Sequence, residues 1–372
     1  MFKNSHRPDY FLAGIVISLL IFGILILTSI AAAISYDRFG NTSYYLKHQI
    51  VFALLPGLIL AFIAFKIDLT LLKKLSPFLF LLNLIFMAMV FLPGIGSRFG
   101  GARHWVGIGS FLFQPAEFLK ISFIVYLASL LANWDEKSYP RKPEKKIKET
   151  LLPFILIFSL TGFFLYLQKD ISTLGIILII AGAIYFSANT PFWHILLLSL
   201  GSAVIFLSLI AFEPYRLSRL LVILNKTINP TADAYQLSQA LITIGSGGIF
   251  GVGLGMSRQR FGFLPEAMSD AIFPILAEET GFVGSLILIL FFLAFMWRGF
   301  RIIRRTSDSF LRLAAVGISS WIVSQAFINI AAMTGILPIA GIPLPFISYG
   351  GSALISELIG VGLLLNISKQ TI

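Results

Sequence analysis

The sequence predicts an all-α polytopic membrane protein of about ten transmembrane helices, and three observations carry that prediction. Hydrophobic residues fill 57% of 372 positions, mean hydropathy is +0.90 and charged residues amount to 12%, too apolar for a water-soluble core and shell. The apolar segments run to about 20 residues each, the length at which a helix crosses roughly 30 Å of hydrocarbon. They lack the alternation of apolar and polar positions that barrel strands carry.

The first span is read at 10–33. A polar start, MFKNSHRPDY, leads into it with no small-residue cleavage site, so it is expected to be a retained helix and not a signal peptide. Spans at 48–65 and 74–93 flank a basic connection holding Lys66, Lys73 and Lys74. The fourth, 114–133, opens on Gln114-Pro115-Ala116-Glu117, with proline in the first helical turn. Spans at 150–167 and 172–188 form a hairpin around Asp170, and 191–212, 270–296, 310–333 and 352–368 complete the set.

Orientation follows from the basic loops. Lys137, Arg141, Lys142, Lys145, Lys146 and Lys148 share one connection and Arg298, Arg301, Arg304 and Arg305 another, so both are expected in the cytoplasm, together with both termini. On the opposite side fall 34–47, 94–113, 213–269 and 334–351. The extracytoplasmic loop 213–269, just before the eighth span, is far longer than an ordinary connection. No short-period repeat or separate soluble module is legible, so 1–372 reads as one membrane domain.

Several function classes are excluded. The net charge of +11 is explained by the topogenic loops and by affinity for anionic lipid heads, and no basic domain or aromatic platform supports nucleic-acid binding. The chain has no cysteine, which removes disulfides, thiol catalysis and Cys-based metal sites. His6, His48, His104 and His194 are scattered without metal-ligand spacing.

The remaining polar residues carry the chemistry, each with a plain structural account beside it. Glu117 and Lys120, three apart, pair on one helix face within a span; they either lock helices together or line a wet cavity. Arg103 and Trp105 lie in an outer loop, where headgroup anchoring is the simple account. Asp170 either caps the next helix or reaches a polar cavity. Arg216 and Arg219, also three apart, match a phosphate or pyrophosphate, or a lipid head. The glycine run GSGGIFGVGLG (245–255) lacks the Gly-Lys-Ser/Thr of a nucleotide loop, and either offers backbone N–H groups to an anion, packs closely or forms a re-entrant loop. In LPEAMSDAIFPILAEETG (264–281), Ser269 or Asp270 caps the eighth span, or Asp270 serves as a general base or cation ligand. Treated as continuous helix, Glu278 and Glu279 point away from Asp270 and are second to it.

Taken in order, GARHWVGIGSFLFQPAEFLK (101–120), QKDIST (168–173), YRLSRL (215–220), AYQLSQALITIGSGGIFGVGLG (234–255), LPEAMSDAIFPILAEETG (264–281) and LPIAGIPLPFISYGGSALI (337–355) resemble the SEDS family, the FtsW and RodA proteins. DYFL near the start, YYLKHQ (44–49) and LPGIGSRFGGARHW (92–105) look more like the FtsW branch. The resemblance implies a peptidoglycan glycosyltransferase that polymerises lipid II at the outer face of a bacterial cytoplasmic membrane, in cell division or elongation. It implies a catalytic role for Asp270, as general base or as ligand of Mg²⁺ or Mn²⁺. It implies substrate-binding roles for Arg103, Trp105, Glu117, Lys120, Asp170, Arg216 and Arg219. The implied partners are lipid II and the nascent glycan, a class B penicillin-binding protein and other division or elongation proteins. Where the family commonly has Pro-Glu-Ala-His-Thr-Asp, this chain has Pro265-Glu266-Ala267-Met268-Ser269-Asp270, without the His. Two other expectations compete: a lipid II flippase or transporter, from ionisable residues inside a span, and a non-catalytic cell-wall scaffold.

Overall fold

The structure is a computed structural model that describes residues 7–99, 102–108, 111–135, 151–188, 190, 193–194, 200–201, 232–259 and 263–370. Among these, seven helices are long and apolar enough to cross a membrane, and Leu152–Leu167 and Ile171–Ser187 are shorter apolar helices. They correspond to nine of the expected spans; 191–212 lies almost wholly outside the described residues.

Helix α1 (Tyr10–Phe39) starts where the Asp9 carboxylate accepts the Leu12 N–H at 2.9 Å and stops at Gly40 in the left-handed region. The second span runs through α2 (Tyr44–Gln49), a π-helical stretch (Ile50–Leu54) and α3 (Leu55–Lys66). Pro56 explains the widened turn: it has no N–H and its ring crowds the carbonyl four residues back, at Phe52. Helix α4 (Leu69–Met89) is capped by Asp68 on the Thr70 N–H, and that bond holds the Asp68 carboxyl below its ordinary range.

The segment expected as loop 94–113 holds a small antiparallel sheet instead: β1 (Gly96–Phe99), β2 (Ala102–Ile108) and β3 (Phe111–Phe113), in that order. Strands of four, seven and three residues leave little alternation to read. The bundle continues with α5 (Pro115–Asp135), α6 (Leu152–Leu167), α7 (Ile171–Ser187), α8 (Ala232–Ser246), α9 (Ile272–Arg305), α10 (Ser309–Met333) and α11 (Gly351–Ser368). Helix α8 falls inside the segment 213–269 expected as one long loop and packs on α9.

Helices α5, α10 and α11 form the buried centre; α1, α3, α4 and the second half of α9 turn apolar side chains outward. Close backbone approach joins α11 to α3, where a Cβ on Gly362 would lie 2.3 Å from the Ala61 carbonyl. Asn366 Nδ2 adds bonds to Ala64 O at 3.1 Å and Ile67 O at 2.8 Å.

Helix α9 is broken at Gly281 (φ 70, ψ −166), and the glycine run fills the break. Val252 N donates to Glu278 O at 2.9 Å and Gly253 N to Glu279 O at 3.1 Å, while Phe282 N and Val283 N donate to Gly248 O and Ile249 O. Four of the backbone groups at the break thus find partners in the loop, which is how irregular backbone is tolerated within a membrane bundle. Of the readings left open for GSGGIFGVGLG, close packing is the one observed: a Cβ on Gly247 or Gly251 would run into the Ala277 or Glu279 carbonyl. Glu278 and Glu279 belong to this joint: Glu278 accepts from the Ser257 hydroxyl and Glu279 from the Ser29 hydroxyl on α1.

Contacts sort the connections to two ends of the bundle. One end gathers residues 7–10, 65–74, 298–305 and 366–370, tied by Arg298 to Asp9 and Lys369 Nζ to Phe65 O. The other gathers the sheet, Gln168, Asp270 and the segment 334–350, tied by Gln168 to Met87 O, Gln114 N to Ser352 and Tyr349 to His48.

Candidate active site

Asp270 lies at the less basic end, half-buried, on a turn that precedes α9. The helix begins at Ile272, its N-cap is Ala271, and no side chain caps it. Neither Ser269 nor Asp270 therefore has the capping role that was one of the two expectations, and the helical angles drawn from Asp270 to Glu278 and Glu279 do not apply. Ser269 instead donates to the Glu266 carboxylate at 2.7 Å.

Backbone bonds hold this turn. Glu266, at φ 53, accepts from Ser269 N at 3.1 Å and Ala271 N at 3.0 Å. Tyr349 N donates to Met268 O at 2.8 Å, and the Ser348 hydroxyl donates to Ser269 O. From α10, Asn329 Nδ2 reaches both Asp270 O and Ile342 O at 2.8 Å. Gly341 keeps the space beside the carboxylate narrow but open, since a Cβ there would lie 3.5 Å from Asp270 Oδ2.

The expected Glu117/Lys120 pair is present and buried, Nζ to Oε2 2.7 Å. Lys120 also donates to Gln325 Oε1 at 2.9 Å and lies 5.0 Å from the Trp321 ring centroid. Gln325 Nε2 in turn donates to Pro343 O at 3.1 Å and to Glu357 Oε1 at 3.2 Å, and Glu357 Oε2 accepts the Phe346 N–H at 2.9 Å. One network therefore links α5, α10, α11 and the segment 342–346. Gln325 and Asn329 are four apart on α10 and hold neighbouring carbonyls of that segment, so the ion pair and the Asp270 turn share one support.

Gln325, Asn329 and Glu357 are absent from the sequence-based set. Glu357 carried a readable signal, an ionisable residue inside the last span, as did two amides at helical spacing in an apolar helix.

Other expected residues fare differently. Asp170 caps α7 through the Thr173 N–H at 3.0 Å, the structural alternative of its two readings. Trp105 lies on β2 opposite Ser97, half-buried, and Arg103 stands in register with Arg98. Arg216 and Arg219 lie outside the described residues. Near the site, the Tyr349 hydroxyl and His48 Nδ1 are 3.0 Å apart; burial, with Tyr45 and Tyr44 adjacent, pushes the phenol up to about 12, so it stays neutral.

The donor set limits any metal. Among the described residues, no group of three or more His, Asp or Glu converges. Among the described residues no all-protein cage is built, and with these Asp270 fits a cation whose remaining ligands are substrate oxygens and water, the usual habit of Mg²⁺.

Comparison with known proteins agrees with the arrangement over its whole length. Residues 10–372 match the model of the FtsW, RodA and SpoVE family, described as cell cycle proteins. Stage V sporulation protein E of Bacillus subtilis is 35% identical over 371 residues, 100% of both chains. A probable peptidoglycan glycosyltransferase FtsW of Nitrosococcus halophilus is 36% identical, covering 99% of this chain and 94% of that one. Among solved structures, a chain of a peptidoglycan synthase complex that coordinates polymerization and crosslinking superposes with TM-score 0.79 at 25% identity, over 97% of each chain. The rod shape determining protein RodA of Thermus thermophilus superposes with TM-score 0.70 at 25% identity, over 98% of this chain and 97% of that one. With a polytopic helical fold and a full-length match to both sequences and structures, this chain belongs to the FtsW/RodA/SpoVE family, the SEDS proteins.

Proposed function

We propose that the protein is a peptidoglycan polymerase of the bacterial cytoplasmic membrane, acting at its extracytoplasmic side. The observation that carries the reading is Asp270: a carboxylate on a turn whose backbone is held by bonds within the turn, by Tyr349 N and by the Asn329 side chain, with no helix to cap, in a chain whose relatives are named peptidoglycan glycosyltransferases. The substrates are lipid II as acceptor and the nascent glycan, on its polyprenyl pyrophosphate, as donor. The 4-hydroxyl oxygen of lipid II attacks the anomeric carbon, the bond from that carbon to the pyrophosphate oxygen breaks, and the configuration inverts to a β-1,4 link. Asp270 takes the hydroxyl proton as the new bond forms, and the pyrophosphate leaves as the anion. A divalent cation at Asp270, Mg²⁺ or Mn²⁺, would supply charge neutralisation for the pyrophosphate. Lys120 and Glu117 hold the floor of the site through Gln325, and Arg103, Trp105, Arg216 and Arg219 are assigned to the polar parts of the two lipid-linked substrates.

A class B penicillin-binding protein is the proposed partner, supported by the likeness to a chain of a synthase complex that couples polymerization to crosslinking. The test is purified protein in detergent or liposomes with lipid II and Mg²⁺ or Mn²⁺, glycan length read on gels. Chains from wild type and none from Asp270→Ala support the reading. Polymerisation by Asp270→Ala at the wild-type rate overturns it, and lipid II translocation without polymerisation would replace it with the flippase.

A further inference from the structure

At the basic end of the bundle, remote from Asp270, lies a cleft of about 190 Å³ lined by Arg7, Asp9, Arg298, Arg301, Arg305 and Ser368. Part of this lining is already committed. Asp9 caps α1 and takes Arg298 Nε at 2.9 Å, and Ser368 Oγ accepts the Asp9 N–H at 3.0 Å and donates to Leu365 O. Arg7, Arg301 and Arg305 remain; among the described residues no carboxylate forms an ion pair with them. Three guanidinium groups around one cleft, with the one carboxylate among its described lining residues, Asp9, already neutralised, repel one another unless an anion joins them, and their forks match phosphate oxygens.

The surroundings select the source of that phosphate. Tyr10, Phe11, Trp297 and Phe300 project outward at the same helix ends, each more than half exposed; Phe11 meets Trp297 edge-on at 6.2 Å, and the Arg298 guanidinium lies over both rings. Exposed aromatic rings between an apolar helix surface and arginines mark the membrane–water interface. The cleft therefore opens at headgroup depth. We propose that it binds the phosphate of an anionic phospholipid, held by Arg7, Arg301 and Arg305, with Arg298 and Asp9 as the fixed wall that joins α1 to α9.

The test uses the full-length protein purified in detergent. Native mass spectrometry with phosphatidylglycerol or phosphatidylcholine, and with inorganic phosphate as competitor, compares wild type, Arg301→Gln/Arg305→Gln and Lys74→Gln. Lys74 is an exposed cation at the same end that does not line the cleft. The expected result is preferential retention of phosphatidylglycerol by wild type and by Lys74→Gln, weakened on the order of tenfold or more in the double variant. Equal retention of both lipids by wild type overturns the proposal whatever the variants do. So does an equal loss in Lys74→Gln, which would make the effect one of net charge. Displacement by millimolar inorganic phosphate would reassign the cleft to a free anion and overturn the lipid assignment.

Discussion

Lys120 serves two accounts, ion-pair partner and substrate ligand, and a substitution pair separates them. Lys120→Met leaves Glu117 buried, with only the Ser356 hydroxyl at 3.5 Å, and should cost about 3–5 kcal/mol, read as a fall in thermal unfolding temperature. Glu117→Gln/Lys120→Met removes both charges and should recover most of that loss. If the pair only supports the site through Gln325, polymerisation returns with stability, which is the outcome expected of a buried Lys120; if Lys120 touches substrate, it does not. Asn329→Leu is a second case: it strips Asp270 O and Ile342 O of their donor, costs about 1–3 kcal/mol, and should lower kcat more than it raises KM because the carboxylate loses its fixed position. At this scale the sequence was legible for the ion pair of Glu117 and Lys120, three apart in an apolar run, though not for Glu357 in the last span. For Gln325 and Asn329 the helical spacing of two amides in an apolar helix was readable, but their targets were not, being carbonyls in a loop 18 and 13 residues further along the chain respectively.

Elements were read best where apolar length decides, and worst where backbone partners lie far away in sequence. The spans emerged because about 20 apolar residues have few alternatives in a bilayer. The sheet at 96–113, helix α8 and the break in α9 did not, since each depends on tertiary pairing. The break gives the sharpest test. Gly281 occupies a conformation open essentially to glycine alone, and a Cβ there would fall 2.3 Å from Gly251 N and 2.5 Å from Ile249 O. Gly281→Ala should cost about 1–3 kcal/mol in backbone strain, with the clash added. Limited proteolysis should then open the chain near Arg258, which leans on Glu278 through its backbone N–H. Gly175→Ala, in a helix with nothing within 4 Å of the added carbon, should be neutral or gain about 0.5–1 kcal/mol. Equal effects at the two positions would mean that the loop and α9 do not interlock.

At the scale of the whole molecule, the two ends differ in charge, and that difference predicts how the protein sits in the membrane. Arg7, Lys66, Lys73, Lys74, Arg298, Arg301, Arg304, Arg305 and Lys369 gather at one end, while Asp270 and the sheet lie at the other. Basic ends stay in the cytoplasm, so Asp270 should face out, the side from which a lipid-linked sugar is polymerised into a wall. The chain has no cysteine, so single-cysteine variants carry an unambiguous label. Ile336→Cys, highly exposed beyond the end of α10, should react with a membrane-impermeant maleimide in intact cells. Arg305→Cys, at the end of α9, should react only after the membrane is opened. The opposite pattern would put Asp270 in the cytoplasm, where a polymerase of exported lipid II has no substrate, and would count against orientation and proposed function together.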